Sequence, residues 1–156
     1  MASTIKNSKL TVILKESVEL NNQTFGNRTS AEIGGINEVS QRVVSVPVSD
    51  TTILMNLSSS VGAGTYALDT VKYARITNLD NKNYVRLSFL SSSVSPAVDH
   101  NRYDVKLDAG QSYIFTNSKI SGSSEGDSFG SYVDFTSLKA KANTAAVDLE
   151  LFIAIS

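Results

Sequence analysis

Val147-Asp148-Leu149-Glu150-Leu151-Phe152-Ile153-Ala154-Ile155 decides the fold class. Val147, Leu149, Leu151, Ile153 and Ile155 stand at alternate positions, opposed by Asp148, Glu150 and Ala154. Side chains two residues apart share one face of a strand, so the segment reads as a strand with an apolar side and a more polar one. Immediately upstream, Leu138, Ala140 and Ala142 alternate with Lys139 and Lys141. Ala and Lys also favour helix over 136–146, but the strict alternation selects strand.

The same period recurs toward the N-terminus. Tyr103, Val105 and Leu107 alternate with Arg102, Asp104 and Lys106, and Asp108-Ala109-Gly110-Gln111 forms a turn before Tyr113-Ile114-Phe115. Val85, Leu87 and Phe89 oppose Arg86 and Ser88 in a strand over 84–90, preceded by a strand over 71–77. The polar residues 78–83 between them read as a hairpin loop. Ile53, Met55 and Leu57 form one apolar set, and Val44, Val46 and Val48 another, with Pro47 placing that segment at a sheet edge or bulge. Between Leu10 and Leu20 the even positions are mostly apolar, and Asn21-Asn22 is the turn that follows. Residues 58–64 and 118–130 are Ser/Gly-rich loops. Roughly eight to ten strands, with turn signals about every 8–12 residues, predict an all-β protein. The expected architecture is a single antiparallel β-sandwich, jelly-roll-like. It occupies 1–156 as one domain with an extended N-terminal segment and with Leu149, Leu151 and Ile153 in its core.

Composition narrows the chemistry. A chain of 156 residues buries about 68–70% of its unfolded surface and needs no covalent staple. It contains no cysteine, which excludes disulfides, thiolate nucleophiles, cysteine-based zinc sites and iron–sulfur clusters. The net charge of -1 speaks against a dedicated nucleic-acid binder. No apolar signal segment is expected in Met1–Lys6, and Val12-Ile13-Leu14 is too short to span a membrane. The 24 serines and 12 threonines suit the outer faces of a neutral β-protein.

Each string that could carry chemistry has a plainer reading. Gly122-Ser123-Ser124-Glu125-Gly126 matches the hydrolase nucleophile elbow, which requires a strand before the serine and a helix after it. Here it lies in a Ser/Gly loop, and the single histidine, His100, precedes Ser124 rather than following it. His100, flanked by Asp99 and Asn101, has no second His or Cys with which to hold zinc. Glu125, Asp127 and Asp134 lack the alternate-position spacing of an EF-hand. Gly62-Ala63-Gly64 lacks the lysine of a phosphate loop. Three glycosylation sequons, at Asn22, Asn27 and Asn56, are what this Ser/Thr content produces by chance. Tyr66, Tyr73, Tyr84, Tyr103, Tyr113 and Tyr132 are candidates for a sugar-stacking platform in a lectin-like module, or for side chains straddling core and solvent. No catalytic, cofactor-binding or metal-binding residue is assigned, and no cofactor is expected.

Three stretches carry a resemblance: YARITNLDNKNYVRLSF at 73–89, YDVKLDAGQSYIF at 103–115 and LKAKANTAAVDLELFI at 138–153. Together they resemble the small β-rich virion structural proteins of tailed phages, particularly marine ones. The resemblance covers the second half of the chain and rests on strand–turn–strand patterns, with no active-site signature. It implies a non-enzymatic structural protein of the virion, assembled in the host cytoplasm. A capsid decoration (cement) protein on the outer head shell is the leading expectation, with a tail, neck or fibre component as the alternative. The implied partners are the major capsid protein or other virion proteins and further copies of the chain, as a trimer, with neither nucleic acid nor membrane.

Overall fold

Alternation is realised as strand throughout the residues that the computed structural model describes, namely 8–58, 65–67, 70–91, 102–116, 121–122 and 133–156. No helix occurs among them. In chain order the strands are β1 (Ser8–Lys15), β2 (Val18–Leu20), β3 (Gln23–Phe25), β4 (Arg28–Ile36), β5 (Glu38–Val46), β6 (Thr52–Ser58), β7 (Thr65–Ala67), β8 (Val71–Asn78), β9 (Val85–Leu90), β10 (Arg102–Leu107), β11 (Ser112–Phe115), β12 (Ser121–Gly122), β13 (Val133–Asp134), β14 (Ser137–Ala142) and β15 (Val147–Ile155). They form a four-stranded sheet, β11-β8-β15-β5, a five-stranded sheet, β10-β9-β14-β6-β7, and three two-stranded ladders. All pairings are antiparallel except the short β6–β7 contact.

The strand that decides the fold occupies the middle of the four-stranded sheet, flanked by β5 and β8. Its Val147, Leu149, Leu151 and Ile153 are fully buried, as the alternation requires. They join Val46, Ala74 and Ile76 of the same sheet in one cluster with Leu54, Val85, Leu87, Phe89, Leu138 and Ala140 of the five-stranded sheet. Phe89 is the aromatic centre, its ring centroid 5.5 to 6.1 Å from those of Tyr113, Tyr103, Phe135 and Phe115. Each fully buried side chain of this size contributes about 1.5–3 kcal/mol, so this cluster is the main store of stability.

Two local expectations are corrected. Residues 78–83 do not close a hairpin, because β8 and β9 lie in different sheets. Ala74 and Ile76 on β8 and Val85, Leu87 and Phe89 on β9 enter the same cluster from two different sheets. Buried Asn78 stabilises this crossing. Its Nδ2 donates to the carbonyls of Asn83 (2.9 Å) and Leu107 (3.2 Å), while its Oδ1 accepts from the Asp80 amide (2.9 Å). The alternation Ile53, Met55, Leu57 is also broken. Leu138 pairs with Met55 but Lys139 with Ile53, so Leu54 is an extra residue in β6. That bulge turns Leu54 into the core beside Met55 and leaves Ile53 exposed.

A second, smaller cluster lies on the opposite face of the four-stranded sheet. Ile36, Tyr73 and Ala154 are buried there, packed by Leu10, Val12, Ile33 and Phe152. Leu10, Val12 and Ile33 belong to the β1–β4 ladder, so the base of that ladder covers part of the sheet's outer face.

Candidate functional site

Most of the residues weighed for chemistry in the sequence fall outside the described residues. His100, Asp99, Asn101, Ser124, Glu125, Asp127, Tyr132 and residues 62–64 lie outside the described residues. Asp134 is half-buried on β13. No group of three His, Asp or Glu side chains that could hold a metal ion occurs among the described residues. Apart from Tyr103 and Tyr113, which both flank Phe89, the described tyrosines are dispersed. Tyr73 is buried edge-on against Phe152 at 6.0 Å, Tyr66 donates to Ser40 Oγ (3.3 Å), and Tyr84 lies under Lys106 Nζ at 4.5 Å. Tyr113 packs on the core, whereas Tyr103, for which alternation favours the core, is half exposed because β10 is an edge strand.

The titration shifts serve the folded frame. Burial pushes the Tyr113 hydroxyl up from its ordinary value, helped by the neighbouring Tyr103. Asp108 Oδ1, 2.7 Å from Lys106 Nζ, raises that ammonium. Asp80 is held below the usual carboxylate range by the backbone amides of Asn83 and Lys82, at 2.6 and 2.7 Å.

The feature that stands out is an arm. β1 pairs with β4 and β2 with β3, and Lys15↔Arg28 is followed by Val18↔Phe25 with two residues on each strand between them. The register therefore runs through the break at Glu16-Ser17 and Gly26-Asn27, and the Glu16 amide still donates to the Asn27 carbonyl at 2.8 Å. At the tip Asn21 and Asn22 have φ of 51° and 63°, the left-handed pair that a two-residue hairpin turn with the strand twist demands. Gly26, at φ 139°, allows the two strands to approach. A Cβ there would sit 2.1 Å from the Glu16 carbonyl oxygen. From Lys15 to the turn the arm extends about 20 Å at ~3.3 Å per residue.

Beyond its base no described residue covers the arm. Ile13, Leu14, Val18, Leu20 and Phe25 are each between 50% and 60% exposed. By register Val18, Leu20 and Phe25 share one face, and Leu14 carries on the face whose Leu10 and Val12 pack on the sheet. The even positions of 10–20 are thus apolar as read, but only their first part is buried. Sequence alternation marks such a face without telling whether its cover comes from the same chain.

The outer face of the four-stranded sheet carries a polar ladder across all its strands. Gln41 Nε2 on β5 donates to Glu150 Oε1 on β15 (2.8 Å), and Arg75 Nη2 on β8 pairs with Glu150 Oε2 (2.9 Å). Arg75 Nη1 also donates to Thr77 Oγ1 (3.1 Å), which lies 2.8 Å from Ser112 Oγ on β11. Between this ladder and the arm base is an open crook of about 260 Å³, lined by Leu10, Thr11, Val12, Ile13, Tyr73, Arg75 and Phe152. Half-exposed Ile114 on β11, register partner of Arg75, stands on the same face of the sheet. Val39 and Val43 stand exposed on β5, an edge strand. No family model, no curated protein and no solved structure matches the chain.

Proposed function

We propose that the protein is a non-enzymatic structural component of a tailed-phage virion, a decoration (cement) protein bound to the outer surface of the head shell through the major capsid protein and through further copies of itself. The observation that carries this reading is the arm. A chain with a buried core nevertheless projects an apolar hairpin that no described residue covers, as expected of a part held by neighbours. The resemblance of residues 73–89, 103–115 and 138–153 to phage virion proteins supplies the setting. A net charge of -1 lets many copies sit side by side on a shell without strong mutual repulsion.

The architecture we infer is a jelly-roll sandwich. Its support is strand order: β5→β6, β8→β9, β10→β11 and β14→β15 each step from one main sheet to the other. The resulting orders, β11-β8-β15-β5 and β10-β9-β14-β6, suit two interlocked Greek keys in an eight-stranded roll. Sandwiches of this kind serve as lattice components in capsids.

Quantitative mass spectrometry of purified particles, normalised to the major capsid protein, tests the reading. Near-stoichiometric copy number is expected. A few dozen copies or fewer would move the protein to tail, neck or fibre, and absence from the particle would overturn the virion assignment.

A further inference from the structure

We propose that the hairpin arm of each copy is completed by a second copy, its tip lying in the crook between arm base and outer sheet face of the partner, and the partner's tip lying in return on the first. This deepens the self-association proposed above and rests on it, but it does not depend on where the oligomer sits in a particle.

The arm needs a cover. A two-stranded ribbon standing alone in water is marginal, and this one also carries Leu14, Val18, Leu20 and Phe25 more than half uncovered or at that limit. The same face is already satisfied at its base by Tyr73, Phe152 and Ala154. The crook, whose lining mixes Leu10, Val12, Tyr73 and Phe152 with Thr11 and Arg75, remains open with Ile114 on the same sheet face.

Charge and area select the occupant. From Lys15 to Arg28 the arm carries Lys15, Glu16, Glu19 and Arg28, two of each sign, so it has no net attraction for a nucleic acid or a charged membrane. The crook that would receive it has one charged lining residue, Arg75, already paired with Glu150. Four half-exposed side chains of that face, Leu14, Val18, Leu20 and Phe25, offer on the order of 50 Å² each, about 200 Å² per arm, with as much again on the surface they cover. One arm in one crook therefore buries roughly 400 Å², well under the ~1,000 Å² at which specific interfaces begin. Two arms exchanged across a two-fold axis bring a single interface to roughly 800 Å², near that value, whereas a three-membered ring leaves one arm in each.

The absence of cysteine permits a clean test. The purified chain should have about twice its 16.7 kDa mass by light scattering. Phe25→Cys combined with Ile114→Cys should give a covalent dimer on mild oxidation, while Phe25→Cys combined with Lys141→Cys, on the five-stranded sheet, should not. Leu20→Asp with Phe25→Asp should halve the mass while leaving the far-UV circular dichroism unchanged, since both side chains are exposed. A monomeric wild-type chain, an oligomer that survives the arm substitutions, a three-fold mass, or disulfides formed only within one chain would each overturn the proposal. None of these results alters the copy number in particles, so arm exchange and the virion reading fail separately.

Discussion

Replacing Asn78 by alanine probes the device that carries the chain from one sheet to the other. The side chain is fully buried and makes three hydrogen bonds, two donated to the Asn83 and Leu107 carbonyls and one accepted from the Asp80 amide. Alanine removes all three and leaves the Leu107 carbonyl, at the end of a buried strand residue, without this donor. At a net ~1 kcal/mol per bond the loss is about 3 kcal/mol, and the desolvated carbonyl moves it toward 4. Urea unfolding of wild type and Asn78→Ala, followed by tyrosine fluorescence and far-UV circular dichroism, measures the difference. Because the sheets themselves are retained, the urea dependence should be unchanged and only the midpoint should fall. Asn78→Asp gives an internal check. It keeps the acceptor for Asp80 but sets a carboxylate against two carbonyl oxygens, so its deficit relative to wild type should shrink as pH falls and the carboxyl gains a proton to donate. A loss below about 1 kcal/mol in Asn78→Ala would refute the reasoning, because it would mean that water replaces the side chain at no cost.

Leu151→Ala, at the centre of the main cluster, should lower stability by about 2–5 kcal/mol in the same urea assay, and a loss under about 0.5 kcal/mol would contradict its burial. Gly26→Ala should disturb the arm alone, since the new Cβ meets the Glu16 and Ser17 backbone. Amide chemical shifts should move within residues 8–36 and stay fixed in β9 and β14 of the five-stranded sheet. Asp80 has a folded pKa below its ordinary value of 3.8, so the stability it supplies is present above that value and is lost as pH falls through the folded one. Asp80→Asn should therefore be less stable than wild type at neutral pH, with the gap closing below pH 3.8 in acid titrations followed by circular dichroism.

Strand character was legible wherever burial follows a strict two-residue period, as in 138–142 and 147–153. Which strands become neighbours was not. Leu87 on β9 and Ile76 on β8 look like facing positions of one hairpin, yet a tight polar turn joins two strands of one sheet or two strands of different sheets equally well. The choice depends on Asn78 reaching back to Leu107, a contact between residues 29 positions apart. The bulge at Leu54 was hidden for a related reason, since an extra residue is visible only against the partner strand. For the arm, the sequence showed the apolar face and the Asn21-Asn22 turn but not where the sheet beneath it stops. The chemistry strings around His100 and Ser124 fall outside the described residues.

The central place of β15 has a kinetic consequence. Gln41 and Glu150, which meet across β5 and β15, are 109 positions apart, and β8 also waits for the same late strand. During synthesis β5 and β8 are therefore made long before their partner, with apolar faces unprotected and backbone edges open. The ribbon 8–36, the β9–β10 pair and the short β6–β7 contact instead close on residues nearer to them in the chain. High sequence separation of this kind slows folding, because loop closure must precede the contacts that reward it. The folding rate should accordingly be governed by docking of 147–155, and the nascent chain should depend on holdase chaperones until that segment emerges.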